Sequence, residues 1–120
     1  MGDSAIQLVR NHIKERIEAV ACIDENLKKI ARRAREILGG DARIYVFGSY
    51  VSGGFDVYLS DVDVLIVSSS VEKCESIGDR AEIILKIKEG IKGAFIFQIH
   101  LVTPREFEYY RFFIDKMIEL

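Results

Sequence analysis

Apolar and polar residues alternate along the chain in patterns that predict helices and strands in turn. Apolar residues spaced by three and four predict helix over residues 4–38, with a break at residues 22–23 and Asp24 capping the second part. The pair Gly39–Gly40 should end this helix, because glycine adopts the left-handed backbone conformation at little cost. The chain therefore opens with two consecutive helices.

Three short apolar segments predict β-strands. They are Arg43–Gly48, Asp61–Ser69 and Ala94–Val102. The segment Ser49–Ser60, which contains two consecutive glycines, predicts a turn and a loop. Only this short segment separates the first two strands.

Two more helices are predicted on either side of the third strand. Glu75–Glu89 is expected to be helical, with one stripe formed by Ile77, Ala81, Ile84, Leu85 and Lys88. Thr103–Glu106 has the pattern of a capping box, with Pro104 at the first helical position. This predicts a last helix from Pro104 to Leu120.

The element order predicts a single α/β (α+β) domain over residues 1–120, with a small mixed sheet packed against helices. The composition supports a packed core, because 49% of residues are apolar and the charges nearly cancel at a net −2. The same balance argues against strong nonspecific binding to nucleic acid, which needs a basic surface. No apolar run approaches the roughly 18 residues of a membrane span, and no secretory signal is recognisable, so the cytoplasm is the expected location.

Two aspartates at the start of the second strand are the first candidates for chemistry. Strand alternation places Asp61 and Asp63 on one face, with their Cβ atoms about 7 Å apart, and places Val62 and Val64 on the other. Two carboxylates this close repel each other unless a cation lies between them, and oxygen ligands suit Mg²⁺. The alternative is a strand that starts from a solvated loop, where two acidic residues cost nothing.

The end of the first strand supplies a second candidate. Gly48 and Ser49 precede a short helical turn, which would present free backbone N–H groups and a hydroxyl to phosphate oxygens. The alternative is an ordinary sharp bend. Together with the aspartates, this turn predicts a site for a metal-bound triphosphate, because the intervening residues can loop back between the two strands.

These residues resemble the signature of a known family. Gly48–Ser49, Gly53 and Ser60–Val67 are similar to the motif of the DNA polymerase beta nucleotidyltransferase superfamily, in particular its short minimal nucleotidyltransferases. The likeness is close over residues 44–67 and extends from about residue 24 to the C-terminus. Residues 1–22 would then form an additional N-terminal helix.

The resemblance implies transfer of a nucleoside monophosphate, expected to be AMP from ATP, to an acceptor hydroxyl. Asp61 and Asp63 would hold Mg²⁺, or Mn²⁺, against the phosphates. Gly48, Ser49 and Ser60 would take part in nucleotide binding.

Two departures from the family pattern stand out. A basic residue commonly follows the Gly-Ser pair, but this chain has Tyr50–Ser52 there. A basic run elsewhere either compensates or forms a solvated helix face: Lys28, Lys29, Arg32, Arg33 and Arg35. The third strand lacks the family's third carboxylate, and Gln98 stands where it is expected.

Gln98 and His100 are predicted to face the aspartates, because alternation gives the other face of the third strand to Phe97, Ile99 and Leu101. A glutamine can offer an oxygen to a metal but cannot act as a base. His100 could accept a proton or bind a softer metal, although a lone histidine on a strand is more often structural. An active enzyme is the leading hypothesis, and a catalytically weakened nucleotide- or partner-binding module is the alternative. A ferredoxin-like regulatory domain would leave the Gly-Ser pair and the aspartates unexplained.

The resemblance also implies a partner, because minimal nucleotidyltransferases often occur with a small helical HEPN ribonuclease, which some silence as antitoxins by adding AMP. The last predicted helix carries aromatic residues that either form a partner surface or pack, four of the five, on the sheet: Phe107, Tyr109, Tyr110, Phe112 and Phe113.

Overall fold

The structure, a computed structural model, describes residues 2–120. Its helices are α1 (Gly2–Ala21), α2 (Ile23–Leu38), α3 (Ser49–Ser52), α4 (Ile77–Lys88) and α5 (Pro104–Phe113). Its strands are β1 (Arg43–Phe47), β2 (Val62–Val67), β3 (Phe97–Val102) and β4 (Met117–Glu119). The predicted alternation of helices and strands is confirmed, with one strand more than expected.

The four strands form a mixed sheet in the order β3-β2-β1-β4, which confirms the predicted fold class. β1 is antiparallel to both β2 and β4, whereas β2 and β3 are parallel. A parallel pair needs a crossover connection, and α4 provides it. As a result, the C-terminal end of β1 and the N-terminal ends of β2 and β3 lie together at one end of the sheet.

The two faces of the sheet belong to different cores. The larger core contains the alternate residues Val62, Val64 and Ile66 of β2 together with α2 and α4. The smaller core contains Leu65 and Val67 of β2, with α5 packed over them. This confirms the alternation expected along β2, and it leaves Asp63 on the face that only α5 covers.

The start of α2 differs from the sequence prediction. Cys22, not Asp24, is the N-cap of α2, and its side chain makes no capping hydrogen bond. Asp24 lies in the first turn instead, where its carboxylate accepts a hydrogen bond from the Tyr50 hydroxyl at 2.7 Å. Gly39 ends α2 as expected, with a φ of 118°.

The third strand and the last helix are both shorter than predicted. Ala94–Ile96 forms a 3-10 turn, and β3 begins only at Phe97. The capping box at Thr103 is confirmed, but α5 ends at Phe113 rather than at Leu120. The last residues form β4, because pairing with β1 satisfies backbone groups that would otherwise lie along an open sheet edge.

The predicted stripe on α4 is wrong. Ile77 and Leu85 are 88% and 67% exposed, whereas Ile87 is completely buried. Ile83 and Ile84 are partly buried against the larger core. More than one face of this isoleucine-rich helix is apolar, and the face that packs against α2 is the one that contains Ile87.

Two other helices also leave apolar residues exposed. The stripe that predicted α1 is largely exposed, at Ile6, Val9, Ile13 and Ile17. On α5, Phe107 is buried and Tyr110 partly so, but Tyr109, Phe112 and Phe113 are exposed. The interpretation in which four of these five aromatic residues pack on the sheet is therefore wrong.

Cys22 and Cys74 are both free thiols. Within residues 2–120, no helix is both long enough and apolar enough to cross a bilayer.

Candidate active site

Gly48 lies directly against the carboxylate of Asp63. The antiparallel register pairs Phe47 with Asp63, so Gly48 leaves β1 beside this side chain. Its φ is 81°, a region that other residues rarely adopt, and a Cβ placed on it would collide with Oδ2 of Asp63. Position 48 therefore requires glycine for two reasons, and the turn and the carboxylate share one location.

The short helix α3 begins at this contact. It starts at Ser49, and the backbone N–H groups of Val51 and Ser52 donate to the Gly48 carbonyl. The N–H groups that precede them in the first turn have no acceptor within the helix. Free backbone donors and a carboxylate thus lie side by side, as the sequence predicted for a turn that holds phosphate.

Gln98 lies next to Asp63 on the neighbouring strand. The parallel register pairs the two residues, so their side chains share one face, and Gln98 is exposed. Gln98 therefore lies beside Asp63, as strand alternation predicted, and its place in the site stays a prediction.

His100 lies on the same face, one pleat further along β3. Its Nε2 is 3.5 Å from Oδ1 of Asp63, and it is buried without a hydrogen-bond partner among the described residues. The imidazole lies between the rings of Phe47 and Tyr110, with centroid distances of 5.4 and 5.9 Å. Aromatic packing therefore holds this nitrogen close to the carboxylate.

Asp61 lies just ahead of β2 in a cationic environment. Its carboxylate is half exposed, and Oδ1 is 3.8 Å from Nη1 of Arg16 on α1. Burial lowers the pKa of Lys88 below its ordinary value, and the negative charge of Asp61 offsets part of this effect. Two cations therefore face this carboxylate from α1 and from α4.

In this structure, Ser60 forms a hydrogen bond within the loop that precedes Asp61. Its hydroxyl accepts a hydrogen bond from the Asp56 amide at 2.9 Å. The Asp56 carboxylate in turn accepts from the amides of Tyr58 and Leu59. These bonds fold residues 56–60 into a compact loop, and a role for Ser60 in nucleotide binding stays a prediction.

An open cavity of about 670 Å³ adjoins the turn and His100. Its walls are mainly aromatic and apolar. They include Gly48, Ser52, His100, Tyr109, Tyr110 and Phe113. The cavity therefore extends from the Gly48–Asp63 contact to the exposed aromatic side chains of α5.

This arrangement agrees with comparisons to known proteins. Residues 27–119 match the family model described as a nucleotidyltransferase domain. The chain belongs to this family. Two crystal structures are similar to it, and none of the curated proteins matches.

The first similar structure is that of a proposed nucleotidyltransferase, which is 32% identical to this chain. The match covers 78% of this chain and 95% of the other, with a TM-score of 0.59. The second is a proposed nucleotidyltransferase from Sulfolobus solfataricus, 17% identical, with 88% and 85% covered and a TM-score of 0.63. At that identity the second match shows the fold alone.

The resemblance seen in the sequence is thus confirmed at the level of the nucleotidyltransferase family, whose general activity is nucleotidyl transfer. The matched residues begin at position 27, so α1 lies outside them.

The donor atoms predicted for the site are of the kind that suits a divalent cation. Asp61 and Asp63 would supply carboxylate oxygens, and Gln98 would supply an amide oxygen from the adjacent strand. Hard oxygen donors of this kind suit Mg²⁺ or Mn²⁺. Among residues 2–120, no group of three or more histidines, cysteines or acidic residues could hold a metal, so the set is poorer in charge than a three-carboxylate site.

Three residues of the basic run on α2 make contacts of their own, and compensation by this run for the missing basic residue stays a prediction. Lys29 pairs with Glu25, and Arg33 donates to the backbone carbonyls of Lys86 and Glu89. Arg35 donates to the Leu120 carbonyl. Three of these cations are thus engaged in contacts with other parts of the nucleotidyltransferase surface.

Arg16 is the residue near the site that sequence reasoning missed. The signal was present, because Arg16 interrupts the apolar stripe of α1 between Ile13 and Val20 at helical spacing. A charged residue at such a position is either a break in the stripe or a buried ion with a partner. The structure shows the second case.

Proposed function

We propose that this protein transfers AMP from ATP to a hydroxyl group on a partner protein. The observation that supports the proposal is the contact of Gly48 with Asp63 at the start of α3, because the turn that we assign to phosphate binding lies beside the carboxylate that we assign to metal binding. Nucleotidyl transfer by the family supports the reaction class. The nucleotide and the acceptor are our inference.

The residues of the site have separate roles in this proposal. The backbone amides at the start of α3 and the Ser49 hydroxyl hold the outer phosphates. Asp61, Asp63 and the amide oxygen of Gln98 hold one Mg²⁺ or Mn²⁺. When bound, this ion offsets negative charge on the triphosphate and at the α-phosphorus as pyrophosphate leaves.

In this proposal, His100 accepts the proton of the acceptor hydroxyl as a general base. The acceptor oxygen forms a bond to the α-phosphorus, and the bond from that phosphorus to the leaving pyrophosphate breaks. The hydroxyl proton passes to the imidazole of His100, whose ring lines the cavity. Gln98 cannot take this role, since an amide is not a base.

The aromatic cavity beside the turn suits the nucleoside. A volume of about 670 Å³ lies within the range of small-molecule pockets, and its aromatic walls offer stacking surfaces to a base. Tyr109 and Phe113 extend from this cavity to the outside. An acceptor protein that covers these rings would bring its hydroxyl to the same place.

A protein acceptor is preferred to a polynucleotide because the net charge is −2. The exposed aromatic side chains of α5 offer a surface for a partner. In line with the resemblance described above, we propose a small helical HEPN-type ribonuclease as the partner and an antitoxin role for the modification.

The test is transfer of label from ATP to the partner in the presence of Mg²⁺ or Mn²⁺. Label at the α-phosphorus should reach the partner, and label at the γ-phosphorus should leave in pyrophosphate. Asp63→Asn should abolish transfer, whereas Asp41→Asn, a change in an exposed loop, should not. Label from the γ-phosphorus on the partner would contradict nucleotidyl transfer.

Gln98 favours a second candidate, the catalytically weakened binding module. Its amide stands where the family has a third carboxylate, so metal affinity should be lower. This module would bind ATP in a thermal-shift assay without transferring label. Transfer that appears only in Gln98→Glu would favour the module over the active enzyme.

A further inference from the structure

The guanidinium of Arg16 is buried against the loop that leads into Asp61. Only 6% of Arg16 is exposed. Its Nε donates to the Val57 carbonyl at 2.9 Å, and its Nη2 donates to the Ser60 carbonyl. The third nitrogen, Nη1, lies 3.8 Å from Oδ1 of Asp61. One planar group therefore contacts the loop at two points and the candidate metal ligand at a third.

These contacts hold residues 57–61 against α1, which the hydrogen bonds within the loop do not do. Asp56 and Ser60 bind each other, which closes the loop on itself. Arg16 then attaches the closed loop to α1 through two carbonyl groups. A buried guanidinium stays charged, so it needs such acceptors, and its fork geometry restrains their directions.

The contacts argue against a direct role for Arg16 in phosphate binding. Two of its three nitrogens donate to carbonyl oxygens, and only 7% of the side chain is exposed. Asp61 remains half exposed, and its 3.8 Å contact with the guanidinium is longer than a hydrogen bond, so its oxygens stay accessible to a metal. Arg16 thus orients Asp61 and leaves the carboxylate oxygens free to bind a metal.

The C-terminal half of α1 packs closely enough against the rest of the protein to hold Arg16 in place. Ala19 is buried, and a Cβ placed on Gly93 would lie 2.9 Å from the Ala19 Cβ, so the two backbones are in close approach. The N-terminal half is exposed over Ile6 and Val9. The buried contacts of α1 therefore concentrate around Arg16 and Ala19.

We propose that Arg16 is a positioning residue for Asp61, and that α1 is thereby part of the metal-binding site although it lies outside the family match. The inference rests on the proposed function for its catalytic consequence. Its structural part, the restraint of residues 57–61, does not depend on that function.

The experiment compares Arg16→Gln with the wild type and with Arg10→Gln, a matched control on the exposed part of α1. Circular dichroism first establishes that each variant is folded. Hydrogen exchange is then followed for the amides of residues 57–61 and, as an internal reference, of α4. In Arg16→Gln we expect faster exchange in the loop only, because a restraint on that loop has been removed. Unchanged exchange in the loop would overturn the proposal.

Binding of Mn²⁺ alone, measured by calorimetry, provides the second readout. Loss of a group that orients a ligand typically lowers metal affinity by about 10- to 100-fold, and we expect a loss in this range for Arg16→Gln. Arg16→Lys should recover part of the affinity, since its ammonium group can still donate to a loop carbonyl but lacks the fork that holds two of them. Faster loop exchange with unchanged Mn²⁺ affinity would overturn the link to Asp61. If the wild type neither binds Mn²⁺ nor transfers label, the proposed function fails, and loop exchange alone still decides whether Arg16 restrains the loop.

Discussion

Gln98 is the direct cross-strand neighbour of Asp63, so an uncharged amide stands beside the carboxylate on the open face of the sheet. The pair lies where the parallel strands β2 and β3 begin, next to the turn at Gly48. A single atom exchange in the side chain of Gln98 would convert this pair into two carboxylates. Position 98 therefore decides whether the site has two carboxylates or three.

Gln98→Glu should raise the affinity for Mn²⁺ by at least about tenfold, because an added carboxylate strengthens a site for a hard cation. Gln7→Glu is the matched control, since it adds the same charge on the exposed face of α1. Calorimetry with Mn²⁺ measures both. Equal affinities in the two variants would mean that position 98 does not contribute to the metal site.

Gly48→Ala should cost more stability than the same change at Gly54. Both glycines have a positive φ, 81° and 83°, where a side chain costs roughly 1–2 kcal/mol. Only at Gly48 would the new Cβ also meet Asp63, whereas at Gly54 it meets open space. Urea denaturation should therefore give a larger loss for Gly48→Ala, and Mn²⁺ affinity should fall in that variant alone. An equal loss of stability in the two variants would show that the contact between the new Cβ and Asp63 is easily relieved.

Tyr50→Phe should lower the free energy of unfolding by about 1 kcal/mol, because it removes the hydrogen bond to Asp24 that joins α3 to α2. Tyr58→Phe, in the exposed loop, is the control. Burial and the bond to Asp24 raise the pKa of Tyr50 to about 12.

This shift gives the Tyr50 prediction a pH dependence. A raised pKa in the folded state means that the contribution is complete below the unfolded pKa of 10.0 and is lost as the pH rises toward 12. The difference between wild type and Tyr50→Phe should therefore shrink in that interval. A difference that stays constant up to pH 12 would contradict the assignment.

Glu106→Gln should flatten the fall in stability at acid pH. Burial alone would raise the pKa of Glu106, but hydrogen bonds from Thr103 and Arg80 hold it below its ordinary value. A lowered pKa in the folded state stabilises the protein above the unfolded pKa of 4.5, and this contribution is lost as the pH falls below it.

Urea denaturation between pH 3 and pH 6 measures the effect of Glu106. Glu108→Gln is the control, because Glu108 lies on the exposed side of the same helix and pairs only with Arg111. If Glu106→Gln and the wild type lose stability in parallel, the bonds to Thr103 and Arg80 contribute nothing measurable.

The site and the fold could be predicted to different extents. The Gly-Ser turn, the alternation along β2 and the faces of Gln98 and His100 followed from local patterns, because alternation in a strand is a property of its own backbone. The stripe on α4 could not be predicted, since an isoleucine-rich helix has more than one apolar face. The end of α5 depended on β4, whose pairing partner β1 lies about 70 residues earlier in the chain.

By itself, the sequence determined the candidate side chains for chemistry, namely the two aspartates and the turn at Gly48, and the presence of a glutamine rather than an acid at position 98. These depend on residue identity and on short spacings, which local backbone geometry converts into shared faces. Only the tertiary structure decided that Arg16 reaches the loop before Asp61 and that His100 lies against Asp63. Such contacts join residues distant in sequence, and they arise from packing of helices and strands that no local pattern specifies.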